Sequence, residues 1–147
     1  PFFIGNEPVG VVVLEKTANS DGIIIYKEMP EYDWNDCVDW IETLRETTHL
    51  QWEMPGNEDY EVIYEIFNGS DSSTPNIEFQ NRFDKWFTDI GGDKIFDVIE
   101  EYADDTYWSE SGTDNNKEKY IYIFSTGEFS TTNWINIPSN CMSILFF

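Results

Sequence analysis

The chain has 147 residues, 40% of them hydrophobic and 17% aromatic, which is enough to fold as one domain around a real core and argues against disorder. It carries 29 Asp and Glu against 8 Lys and Arg, a formal charge of −21. Nucleic acid and anionic membrane are themselves negative, so this balance disfavours both as direct partners and favours a basic protein or a polyvalent cation.

The amino end, PFFIGNEPVGVVVLEK, has neither the basic start nor the small-residue cleavage site of a secretory leader. No apolar run approaches a membrane span. The expectation is a soluble, cytoplasmic protein (in the host cell, if phage-encoded) whose Cys37 and Cys141 are reduced, buried thiols. Val9 to Leu14 and Ile23 to Tyr26 are β-branched runs on either side of the turn residues Asn19-Ser20-Asp21-Gly22, the pattern of a β-hairpin. Each run is nearly continuous in Val or Ile, which predicts strands covered on both faces.

After Met29-Pro30 a helix is expected, with Asp33 as its N-cap and Trp34, Cys37, Val38, Ile41 and Leu44 recurring at three- and four-residue steps. At about 100° per residue, Asp36, Asp39, Glu42 and Glu46 gather on the opposite side. Arg45, the single base of this stretch, falls on the apolar side, where its stem can lie along carbon. His49 to Asn57 reads as a connection. The next segment, EDYEVIYEIF, alternates: Tyr60, Val62, Tyr64 and Ile66 take one face and acids with Ile63 and Phe67 the other, which predicts a strand.

A polar loop from Asn68 to Thr74 then leads to a two-helix run ending at Asp105, with Pro75 in the first turn. Phe79, Phe83, Trp86, Phe87 and Ile90 form the apolar stripe of the first helix, and Glu78, Asp84 and Asp89 share its exposed side with Arg82 and Lys85. Gly91-Gly92 stops it, and Asp93 can cap the second helix, which places Ile95, Phe96, Ile99, Tyr102 and Ala103 on one side. Its back is entirely acidic: Asp97, Glu100, Glu101, Asp104 and Asp105. Beyond it, TYWSE and EKYIYIF predict a second hairpin around SGTDNN, and Phe129 to Asn136 and Ser143 to Phe147 read as short late strands. The resulting order, β-β-α-β-α-α-β-β-β without regular βα alternation, predicts an α+β fold: a mainly antiparallel sheet of two hairpins and a central strand against about three amphipathic helices.

Reaction chemistry is hard to find. The one histidine, His49, sits at a helix end. No nucleophile elbow, phosphate-cradling glycine loop or CxxC is present, and neither Asp21-Gly22 nor Ser111 to Asn116 has the ligand spacing of a calcium loop. Carboxylates and aromatics are so abundant that a glycosidase-like pair carries no information. The reading is therefore a non-enzyme that needs no cofactor or metal.

The sorting of charge is more informative than its amount. General solubility needs far less, yet acids concentrate on the Asp36–Glu46 and Asp97–Asp105 faces. Residues three and four apart on a helix stand about 5–6 Å from one another, so each face forms a row of negative charge that crudely resembles a run of phosphates. In acidity and size the chain is similar to phage-encoded nucleic-acid mimics and to immunity proteins that neutralise basic nuclease toxins, although it shares no motif with them. That likeness implies an inhibitor that binds a basic nucleic-acid-handling protein through its acids, with Trp40, Tyr107 and Trp108 as exposed aromatic anchors. The alternative is a structural or assembly subunit, for example of a virus particle, whose apolar ends PFFIG and SILFF are interface strands.

Overall fold

The computed structural model describes residues 1–68, 77–95, 106–112, 118–123, 127–133 and 135–147. Its centre is the expected first hairpin. Strands β2 (Glu7–Leu14) and β3 (Ile23–Tyr26) pair antiparallel, and the two ends of the sequence complete the sheet: β1 (Phe2–Ile4) lies beside β2, and β9 (Ile144–Phe146) lies beside β3. The sheet order is β1-β2-β3-β9. A second, five-stranded sheet runs β4-β8-β5-β6-β7, built from Glu31–Tyr32, Ser139–Asn140, Thr106–Trp108, Lys119–Ile123 and Glu128–Thr132. Every pairing is antiparallel except the single parallel contact of β5 with β8. With three helices among the described residues, α1 (Trp34–Thr48), α2 (Asn57–Asn68) and α3 (Ile77–Thr88), the class is α+β with mainly antiparallel sheets.

Both faces of the first sheet are covered, as the continuous Val and Ile runs imply. Val11, Ile23 and Ile25 face one core, shared with Tyr60, Ile63 and Phe67 of α2 and Phe83 and Phe87 of α3. Ile24 points the other way, into a second core with Cys37, Ile41 and Leu44 of α1. Successive strand side chains alternate faces, so α1 lies on one side of the sheet and α2 with α3 on the other. The second sheet feeds both cores in the same manner, Tyr107 and Tyr122 entering the first and Trp108 the second.

The segment expected as the central strand is the helix α2. Its sequence satisfies two periods at once: alternation at Tyr60, Val62, Tyr64 and Ile66, and helical spacing at Tyr60, Ile63, Tyr64 and Phe67. Packing selects the second, because Tyr60, Ile63 and Phe67 are fully buried while Val62 is exposed. The start of the helix carries its own device as well. Asp59 accepts the Gly56 N–H at 2.8 Å, half of a capping box, and Ser111 Oγ accepts the Asn57 N–H at 2.7 Å.

The end of α3 follows expectation. Gly91 adopts φ 78°, and the Gly92 N–H returns to the Phe87 carbonyl at 2.8 Å. The segment after it is tied to the chain beyond β3. Asp93 accepts the Met29 N–H at 2.9 Å and donates its own N–H to the Lys27 carbonyl. The helix expected from Asp93 to Asp105 falls on 96–105, outside the described residues. Asp84, expected on the exposed side of α3, is buried instead and accepts the Ile95 N–H at 2.8 Å.

Candidate protein-binding surface

Helix α1 is built by local rules. Asp33 caps it by accepting the Asp36 N–H at 2.8 Å, and Asp36 sits in the first turn, where the helix dipole favours an anion. At the other end His49 takes a left-handed conformation, φ 59°, and its N–H bonds the Arg45 carbonyl. The following loop is fastened back onto the last turn. Arg45 Nε donates to the Trp52 carbonyl at 2.6 Å, and Trp52 Nε1 donates to Thr48 Oγ1 at 3.0 Å. With Cys37, Ile41 and Leu44 buried, Asp36, Asp39, Glu42 and Glu46 are all exposed. The ion pairs among the described residues are Lys27–Glu7 and Lys85–Asp89, so none of these four acids is neutralised by a base in one.

A second acid row lies on α2. Glu58, Glu61 and Glu65 are exposed, and no base occurs between Asn57 and Asn68. Reading the segment as a strand hid this row, although its own three- and four-residue spacing is visible in the sequence. Because α1 and α2 cover opposite sides of the first sheet, the two rows face opposite directions. Burial first, then the neighbouring Tyr64 hydroxyl, with smaller additions from Glu61 and Glu65, pushes the Tyr122 hydroxyl well above its usual range. By contrast α3 carries a mixed exterior in which Lys85 pairs with Asp89 at 2.7 Å and Arg82 lies 5.1 Å from the centre of the Phe79 ring.

Two of the three aromatic anchors expected from sequence are not available. Tyr107 and Trp108 are each only 1% exposed. Both are buried because the second sheet, like the first, has a core on each face, so neither of two consecutive residues reaches water. They act as internal struts: Tyr107 Oη donates to the Ile95 carbonyl at 2.9 Å and Trp108 Nε1 to the Tyr32 carbonyl at 2.8 Å. Trp40 is half-buried beside Tyr26, edge-on at 5.9 Å, and near Tyr32, which is 36% exposed. Trp86 on α3 is 42% exposed. The acids Asp97, Glu100, Glu101, Asp104 and Asp105 lie outside the described residues.

Neither thiol is accessible. Cys37 and Cys141 are buried together in the second core, and the neighbouring Cys141 sulfur, followed by burial, pushes the Cys37 thiol far above its usual range. Glu53 is half-buried between α1 and α2. Burial first, then the charges of Glu110 and Asp59, raises its carboxyl, with Arg45 opposing. Among the described residues no group of three or more His, Cys, Asp or Glu is placed to hold a metal ion, and no helix is long and apolar enough to cross a membrane. No protein-family model matches the chain, and no curated protein matches it.

Proposed function

We propose that the protein is a non-enzymatic inhibitor that binds a basic, nucleic-acid-handling protein through its acidic helix faces. The observation that carries this reading is the exposed, unpaired row Asp36-Asp39-Glu42-Glu46 on α1, repeated as Glu58-Glu61-Glu65 on α2. Every step along these rows sets like charges three or four residues apart, which destabilises a helix by about 0.2–0.5 kcal/mol per pair. An arrangement that opposes its own helix, with Arg45 the one base on α1 and none on α2, is what a basic groove would select. Carboxylates would stand where phosphates stand, steering encounter at low salt and fixing register. On sequence grounds the Asp97–Asp105 acids belong to the same reading, and Trp40 with Tyr32 supplies aromatic surface beside the α1 row.

The test is affinity capture on the immobilised protein with salt titration of the captured complex. It is run against variants in which the α1 row, the α2 row, or Asp97, Glu100, Glu101 and Asp104 become Asn or Gln. At least one variant is expected to lose a basic partner and to flatten its salt dependence while melting no lower than the parent. Capture that ignores salt, or equal capture by all three variants, overturns the proposal.

One observation favours a second reading, an assembly subunit. The terminal strands β1 and β9 form the two edges of the first sheet, and Phe3, Phe146 and Phe147 are exposed there. Sedimentation decides: a closed ring or lattice supports assembly, and a concentration-independent monomer removes it.

A further inference from the structure

The chain has two cysteines, far apart in sequence, and the fold sets them side by side in the second core. The meeting follows from the backbone. Strand β4 pairs with β8, Glu31 opposite Asn140 and Tyr32 opposite Ser139, and the Cys141 N–H extends that pairing to the Pro30 carbonyl at 2.8 Å. Helix α1 starts where β4 ends, at the Asp33 cap, and the Trp34 N–H is held at 3.1 Å by the carbonyl of Ile135, shortly before β8. One turn into the helix, Cys37 gives its N–H to the Asp33 carbonyl at 2.9 Å and turns its side chain inward. There its thiol has the Cys141 sulfur as hydrogen-bond partner.

Both cysteines are 0% exposed, in the same core as Ile41, Trp52 and Trp108. Thiols that serve only as small apolar filler could stand anywhere in either core. A cross-link requires contact between them, and contact is what the fold provides.

We infer that Cys37 and Cys141 form a cross-linking site, at which oxidation by a small-molecule disulfide joins α1 to the connection between β8 and β9. One protein sulfur, as thiolate, attacks the oxidant's disulfide and expels one small thiol. The second protein sulfur then displaces the other small thiol from the mixed disulfide. The two small thiols carry away the two electrons and two protons that the cysteines give up. The sulfurs already touch, and the bond draws them to about 2.0 Å. In the closed core this exchange is slow, because the Cys141 contact and burial hold the Cys37 thiol protonated and attack needs a thiolate. The bond therefore forms as the core folds or opens. The loop it closes runs from the first turn of α1 past α2 and α3 to the end of β8, and the longer such a loop, the more the bond restricts the unfolded chain. Reduced, the pair is core packing; oxidised, it staples the helix that carries Asp36, Asp39, Glu42 and Glu46.

The test is refolding of the whole protein from urea in a mixture of oxidised and reduced glutathione, followed by alkylation, intact mass and peptide mapping. The expected product is a monomer two hydrogens lighter that takes up no alkylating agent and yields a linked Cys37–Cys141 peptide. Its urea midpoint is expected to lie above that of the same protein kept reduced. A Cys37→Ala control given the same treatment should show no such gain. Oxidised and reduced parent are compared with each other, so the result stands whether or not that control folds. Two alkylated thiols after refolding, glutathione adducts that never resolve to the internal bond, dimers linked between chains, or an oxidised form less stable than the reduced one each overturn the inference.

Discussion

Helices α1 and α2 have the same acidic exterior and opposite means of support. Around α1 the fastenings are local: Asp33 at the start, His49 at the end, and Arg45 and Thr48 gripping the loop that follows. Helix α2 has one local fastening, Asp59 on the Gly56 N–H, and is otherwise held from a distance. Ser111 receives its first N–H, and Tyr60 Oη donates to the Trp108 carbonyl at 2.7 Å. Tyr60 also stacks on Tyr122, their ring centres 5.0 Å apart. A helix that carries its own caps can be recognised from its own residues, whereas one that depends on a strand far along the chain presents an ambiguous pattern until that strand arrives.

The sharpest way to break this comparison is at α2 itself. Phe67→Ala is expected to cost about 3–5 kcal/mol, because a fully buried ring leaves a cavity between two helices. Val62→Ala, at an exposed position, should stay within about 0.5 kcal/mol. Urea unfolding of the two variants separates helix from strand, since alternation would place Val62 on the buried face and reverse the order of the costs. A smaller effect is expected at the α1 cap. Asp33→Ala should cost about 1 kcal/mol, and Asp59→Ala less, because Glu58 and the bond to Ser111 still support the start of α2.

The remaining prediction concerns the ground between the helices. Glu53 has its folded-state pKa raised, so between its ordinary value of 4.5 and the raised one the folded state holds more protons than the unfolded. Stability contributed by the protonated carboxyl is therefore lost as pH rises through that window. Glu53→Gln is expected to stabilise the protein modestly at pH 7 and to leave it unchanged well below pH 4.5. Urea midpoints of parent and variant at the two pH values measure the effect, and an equal gain at both would assign it to packing.

How much was legible in the sequence follows the same division. The first hairpin was readable because Asn19-Ser20-Asp21-Gly22 separates two β-branched runs, and α1 and the stop at Gly91 because caps are local chemistry. Its acid row was readable with it. The α2 row was not, since one period of two had to be chosen and only the burial of Tyr60, Ile63 and Phe67 decides between them. Tyr107 and Trp108 misled for a related reason. Strand alternation promises one of two neighbours to solvent, and that promise fails when both faces of a sheet are covered. Nothing local in Asp84 announced that it would receive the Ile95 N–H, a bond that exists only once the chain has turned at Gly91 and Gly92. The make-up of the first sheet was equally hidden, because its four strands are spread from Phe2 to Phe146.

That spread has a kinetic side. Strand β3 pairs at its second edge with β9, Ile24 opposite Leu145, so the first sheet cannot close until the segment about 120 residues further along has been made. Until then Ile23, Ile24 and Ile25 form an unpaired, fully apolar edge, the kind of template on which nascent chains pair with one another. Contacts this distant along a chain also slow the search for the native state. The large negative charge then opposes that pairing: it holds growing copies apart while their open edges wait for β9.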